Sequence, residues 1–256
     1  MNNAVLIHLP HSSVNIPAKE RSEIQLADTE LQKELLILTD RYTDELFTLE
    51  GAVVHKNQYS RLVFDPERFR NDKDEIMARF GMGAIYTHAA DGRIMRSLTG
   101  EKREEMLKQC YDPYHLDLEA KTEEILNHHG RCMLIDGHSF PERPLPFELD
   151  QTANRPDICI GTCDFHTPEA LIAGMEDIIR SGGLTVNRNT PFAGTMVPMK
   201  YYLKDKRVIS VMIEVNRRLY MNEATGEKLP QFDSVAGFIK RLMEKMVHIF
   251  HDKGTR

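Results

Sequence analysis

Short apolar runs alternate with longer amphipathic stretches along this chain. Runs rich in β-branched and aliphatic residues, bounded by Gly, Pro or Asp, predict strands at about 3–9, 51–56, 61–64, 84–87, 131–136, 157–161, 184–187 and 207–214. Between them, apolar positions recur at helical spacing. Leu31, Leu35, Leu36 and Leu38 follow the capping signal Asp28-Thr29-Glu30. Met106, Leu107, Cys110, Tyr114 and Leu118 mark a helical region from Thr99 to His128, with a kink or break expected at Pro113. Thr167-Pro168-Glu169 opens a third helix. Val235, Phe238, Ile239, Leu242, Met246 and Phe250 form one face of a fourth over 234–252. Strands alternating with helices predict an α/β fold with a largely parallel or mixed sheet. The proline-rich segment 140–156 and the segment 217–232 read as loops, so a single domain is expected over residues 1–256.

Composition narrows the partners. The net charge of −6 leaves no basic stripe to neutralise phosphates, which argues against nucleic acid. The apolar runs fall far short of the roughly 20 residues of a membrane helix. No basic region followed by an apolar core stands at the N-terminus, so no signal peptide is expected. Cys110, Cys132, Cys159 and Cys163 form no CxxC pair, so thiolate zinc ligation is not expected and a reducing, cytoplasmic setting fits.

The chemistry gathers where apolar runs end. Val5-Leu6-Ile7-His8-Leu9 empties into Pro10-His11-Ser12-Ser13, and Cys132-Met133-Leu134-Ile135 into Asp136-Gly137-His138-Ser139. Val208 to Ile213 empties into Glu214-Val215-Asn216-Arg217. Ligands of open α/β sheets bind outside the carboxyl ends of the strands. His11 and His138 as ligands, with Glu214 as general base, compose a catalytic zinc site. The plainer alternatives are loop histidines satisfied locally and a Glu214 paired with Arg217 or Arg218. Asp40 and Asp44 share one side if their helix continues. There they supply an oxygen ligand or orient a histidine, unless they are simply a solvated face. Arg61 and Arg68 flank a predicted strand, and their planar forks suit a substrate carboxylate or a salt bridge with Asp65 or Glu67.

Taken in order, the motifs resemble the N-formylglutamate amidohydrolase family. They are Pro10-His11-Ser12-Ser13, Thr39-Asp40, Ser60-Arg61 with Asp65 and Arg68, and Pro113-Tyr114-His115. Asp136-Gly137-His138-Ser139, Asp157-Ile158-Cys159-Ile160-Gly161-Thr162, Pro191-Phe192-Ala193-Gly194 and Glu214-Val215-Asn216-Arg217 complete the set. The resemblance implies a phosphorylase/hydrolase-like three-layer α/β/α sandwich with a mixed sheet, similar to zinc carboxypeptidases and aspartoacylase. It implies hydrolysis of an N-acyl amino acid, typically N-formyl-L-glutamate in histidine degradation, with one zinc ion per chain. His11, His138 and Asp40 would hold the ion, with Asp44 as second choice. Glu214 would be the base, and Arg61 would help stabilise the oxyanion. Arg68 or Arg217 would hold the substrate carboxylate, Asn216 the amide, and Ser139 would sit beside the substrate as in the carboxypeptidase His-Ser pair. Three places depart from the pattern. Val14 stands where carboxypeptidase relatives carry a ligating Glu, Pro66-Glu67 replace a Leu-Asn pair, and Arg41-Tyr42 replace Trp-His. Two other readings stand beside this one: a carboxypeptidase-like peptidase, and a non-catalytic carboxylate binder that has lost its metal.

Overall fold

One mixed sheet of six strands organises the structure, a computed structural model that describes residues 4–252. The strands are β1 (Val5–Leu9), β2 (Val53–Lys56), β3 (Cys132–Phe140), β4 (Ile158–Gly161), β5 (Val186–Arg188) and β6 (Val208–Asn216). Their order is β2-β1-β3-β6-β4-β5. The first four in that order run parallel, β4 is antiparallel to β6, and β5 is parallel to β4. Every residue of β1, β3 and β6 is buried, which is why these strands read as continuous apolar runs: a parallel sheet is covered on both faces.

Register decides which side chains meet. Residues paired across neighbouring strands point to the same face, and faces alternate along each strand. His8 pairs with His55 on one side and Asp136 on the other, and His138 pairs with Glu214. One face therefore carries His55, His8, Asp136, His138 and Glu214 in a row. The opposite face, with Ile7, Ile135, Val211 and Ile213, is apolar.

Among the described residues, seven α-helices surround the sheet: α1 (Ala18–Glu23), α2 (Asp28–Leu38), α3 (Thr43–Leu46), α4 (Gly100–Met106), α5 (Asp112–His129), α6 (Glu169–Ser181) and α7 (Phe232–His251). Helix α5 lies on the polar face, where its Tyr114 hydroxyl meets His8 Nε2 at 2.6 Å. Helices α6 and α7 pack on each other, and α3 packs on α7. They cover the apolar face, where Phe47, just past α3, lies against Gly137. The buried residues of α7, Ile239, Leu242, Met243, Met246 and Phe250, recur at the spacing of one helical stripe. The expected α/β sandwich with a mixed sheet is what forms.

Three local expectations change. Residues 61–64 and 84–87 are not strands, although 62–64 and 84–86 are buried. Val63 N–H donates to the Ser60 carbonyl in a tight turn, and Asp65 N–H donates to Ala84 O at 2.8 Å. Their apolarity reports burial in a satellite core with Met106 and Leu107, not extended backbone. The helix after Asp28 stops at Leu38, so Asp40 and Asp44 do not share a helical side. Its N-cap is Ala27, whose N–H donates to Glu30 Oε2 at 3.0 Å. The region does divide into two helices, but ahead of Pro113: a π-helical turn at 107–111 separates α4 from α5, and Pro113 sits in the first turn of α5.

Gly161 closes β4 with no room for a side chain. A Cβ there would collide with the Gly194 carbonyl and with Met212. Gly161→Ala is expected to lower unfolding stability by about 1–3 kcal/mol, the usual cost of overpacking, read from the midpoint of urea unfolding.

Candidate active site

β3 outruns β1. His8 stands beside Asp136, β1 stops at Leu9, and β3 continues to Phe140. His138 therefore projects past the end of β1, where the chain turns through Pro10 and His11. The two imidazole rings meet with centroids 5.1 Å apart. Asp40 arrives from the segment after α2. Its N–H donates to the His11 carbonyl at 3.0 Å, and the left-handed backbone of Tyr42 (φ 67°) then turns the chain into α3. Asp40 Oδ2 lies 3.2 Å from His138 Nδ1 and 3.6 Å from His11 Nδ1. One donor atom from each of these three buried residues lies within 4.8 Å of the others.

A buried carboxylate holds the far nitrogen of each imidazole. His11 Nε2 is 2.8 Å from Asp65 Oδ1, and His138 Nε2 is 3.0 Å from Asp136 Oδ1. Burial pushes the Asp65 carboxyl up, but Arg61, His11 and Arg68 outweigh it and hold the group well below the usual range. His138 and His8 do the same for Asp136. An ionised carboxylate only accepts, so Nε2 carries a proton in both rings. The lone pair of His11 is thereby left on Nδ1, which is buried and has no hydrogen-bond partner. Burial pulls His138 down, yet Asp136 and Glu67 prevail and hold it well above its ordinary value. Its Nδ1 proton faces Asp40 and is the one a bound cation would replace.

These residues fit a metal ion. Two imidazole nitrogens and one carboxylate oxygen are the protein ligands of a common catalytic zinc type. Imidazoles anchored through the far nitrogen to a carboxylate are the usual support of such ligands. The orphaned His11 Nδ1 is the atom such an ion would satisfy. A second cluster, His8, Glu67 and Asp136, lies behind the first. There His8 Nδ1 already donates to Asp136 Oδ1 at 2.7 Å, so it acts as support for His138.

Glu214 stands on β6 beside His138. It is buried, and its Oε2 has no hydrogen-bond partner. Burial pushes its carboxyl up to about 8, with His138 opposing. A cavity of about 390 Å³ opens over His11, Asp40, His138 and Glu214.

The arginines divide. Arg217 Nη2 donates to Asp40 Oδ1 at 2.9 Å, its Nε to Ser139 Oγ at 3.2 Å and its Nη1 to Ile37 O at 2.6 Å. Arg61 donates to Asp65 Oδ2 through Nη2 at 2.7 Å and Nε at 3.2 Å, and the Tyr86 hydroxyl donates to the same oxygen at 2.6 Å. Arg68 lines the cavity with its Nε buried, unpartnered and 3.8 Å from Asp65. Ser139 also lines the cavity. Asn216 does not line it. Its amide donates to Pro156 O, and its side-chain oxygen accepts from Arg218 N–H. Asp44 is ion-paired with Lys56 at 2.5 Å, and Val14 is 47% exposed and takes no part in the donor cluster.

Sequence reasoning missed the supporting layer: Asp65 and Asp136 behind the imidazoles, Glu67 between them, and Tyr86 and Tyr114 at the rear. Asp136 was within reach, because a two-residue spacing on a strand puts it on the face of His138. Asp65 lay four residues from Arg61. Nothing in the sequence ties it to His11, which lies 54 positions away.

Known proteins agree with this architecture. A family model described as N-formylglutamate amidohydrolase matches residues 3–221. N-formylglutamate deformylase of Pseudomonas putida is 24% identical over 227 residues, covering 86% of this chain and 82% of that protein. The crystal structure of N-formylglutamate amidohydrolase from Ralstonia eutropha JMP134 superposes with a TM-score of 0.81 at 23% identity, over 96% of this chain and 93% of that one. A gene product of Agrobacterium tumefaciens superposes with a TM-score of 0.67 at 20% identity, over 97% and 92%. The two structures bear on the fold, and the family model, which spans most of the chain, carries the assignment: this protein belongs to the N-formylglutamate amidohydrolase family, hydrolases that act on an amide.

Proposed function

We propose that this protein is a metal-dependent amidohydrolase that cleaves the amide of an N-formyl or other N-acyl amino acid, N-formyl-L-glutamate being the family's namesake substrate. The observation that carries the reading is the meeting of His11 Nδ1, His138 Nδ1 and Asp40 Oδ2 beside an unpartnered Glu214 carboxyl, in a cavity lined by Arg68. His11, Asp40 and His138 would hold the ion, and zinc suits the donor set. Such an ion polarises the substrate carbonyl and makes water a nucleophile near neutral pH.

The residues of the chain do the rest. Ionised once a neighbouring bound cation offsets its burial, Glu214 Oε2 takes the proton from the attacking water and later delivers it to the departing nitrogen. Water oxygen joins the acyl carbon, the C–N bond breaks, and the products are a carboxylate and an amine. Arg217 fixes Asp40, and Asp65 and Asp136 fix the two imidazoles. Arg61 orients Asp65 and keeps Nη protons for the oxyanion that develops on the carbonyl oxygen. Arg68 receives the substrate carboxylate, since Arg217 is already engaged by Asp40. Segment 140–156 contributes Leu145, Phe147 and Leu149 to the wall, which screens the reaction from water.

The deciding assay is amine release from a panel of N-formyl and N-acetyl amino acids after chelation and again with zinc restored. Activity should vanish and return; turnover indifferent to chelation, or absent in both states, overturns the reading. Glu214→Gln should keep the bound metal and lower kcat by about 10²–10⁴-fold. Asp65→Asn should weaken metal binding by roughly 10–100-fold in a competitive chelator titration, while the fold is kept. Asp40→Ala does two things at once. It removes a ligand and leaves the buried Arg217 without its counter-ion, so metal stoichiometry and thermal stability should fall together, the latter by about 3–5 kcal/mol.

A further inference from the structure

Among the described residues, one guanidinium lining the cavity is free of side-chain hydrogen bonds, and apolar walls surround it. Of the lining arginines, Arg61 is bound to Asp65 and Arg217 to Asp40, Ser139 and Ile37. Arg68 forms no side-chain hydrogen bond, and its Nε is buried without a partner. No lysine lines the cavity among the described residues. Apart from His138, which belongs to the metal-ligand cluster, the remaining charged groups there are acidic. Glu67 and Glu214 each have a buried oxygen without a partner, and Glu75 already accepts from Phe69 N–H and Met77 N–H. Glu148 is bound to Arg155. The rest of the wall is largely hydrophobic. Met77, Leu145, Phe147 and Phe192 line it, and Ile76 and Leu149 carry the apolar surface out at 55% and 57% exposure.

With the metal reserved for the scissile carbonyl and Arg61 for the oxyanion, Arg68 alone is left for substrate carboxylates, and we infer that the substrate is a monoanion: an N-formyl or short N-acyl amino acid with an uncharged, apolar side chain of the size of leucine, methionine or phenylalanine. The inference rests on the amidohydrolase reading above and names the substrate within it. Arg68 takes the α-carboxylate as a forked pair. A second carboxylate, such as that of a glutamyl side chain, would meet hydrocarbon or one of the acidic side chains. Either placement strips its water and returns no cation. An apolar side chain meets walls it can displace water from, and the gain scales with the area it covers. The exposed Ile76 and Leu149 are then part of the recognition surface, an apolar patch at the mouth of a concave site.

The test compares kcat/KM for N-formyl-L-methionine, N-formyl-L-leucine and N-formyl-L-glutamate with the zinc-supplemented enzyme. A second arm measures Kd for the same compounds on the Glu214→Gln protein by calorimetry. That substitution removes one acidic neighbour, so any bias it brings runs against the expectation. The apolar compounds should win by at least about tenfold in both arms. Leu149→Arg, at an exposed position, adds a second cation and should shift the preference toward glutamate by about tenfold or more. Equal or better performance of N-formyl-L-glutamate overturns the inference, as does failure of every compound to bind. Binding that favours the apolar compounds, with no turnover of any, upholds this substrate class and overturns the hydrolytic reading instead.

Discussion

Everything at this site hangs on a pair of carboxylates that never touch the reacting centre. Asp65 and Asp136 are fully buried, and each accepts a hydrogen bond from the far nitrogen of one imidazole. That single demand, an ionised oxygen wanting an N–H, sets the tautomer of His11 and turns its lone pair toward Asp40 and His138. Each carboxylate is in turn held by cations or donors that the fold delivers from elsewhere. Asp65 has Arg61 and Tyr86, and Asp136 has His8 and the Met196 N–H. Buried charge is tolerable only when it is paired and hydrogen bonded. The network is therefore rigid by necessity: to move one imidazole is to unpair a fully buried carboxylate.

The sheet makes this network affordable. Parallel strands place His8, Asp136 and His138 on one face by alternation alone, and register sets Glu214 beside His138. The apolar face against α6 and α7 supplies ordinary core packing, so stability and chemistry use opposite sides of the same strands. A polar row inside a sheet costs stability, and the hydrophobic side offsets it.

Much of this arrangement could be read before any coordinates. Three apolar runs ending in His11, His138 and Glu214 stand out, because strand ends are where such sheets present ligands. Asp40 stands ahead of Asp44 in the sequence reading, but the helical side the two would share does not form. What separates them is a left-handed turn at Tyr42, and a Tyr carries no local signal for positive φ. Segments 61–64 and 84–87 read as strands because burial and strand formation leave the same apolar trace over four residues. Asp65 and Glu67 were hidden for a different cause: their partners His11, His8 and His138 lie far off in sequence, and no periodicity encodes a contact across that distance. Arg217 and Asn216 read as substrate contacts because adjacency to Glu214 is visible in one dimension. Their partners, Asp40 and Pro156, are visible only in three.

The separation in sequence has a consequence for how the protein matures. His138 is 98 residues from Asp40, and Asp40 is 177 from the arginine that steadies it. Arg217 follows β6, the strand inserted between β3 and β4 in the middle of the sheet. During synthesis the earlier strands leave the ribosome well before that central strand exists. A contact map dominated by such long loops forms late. The chain therefore acquires its steadied ligand set only as the sheet is completed, so that chemical competence itself reports that folding has finished.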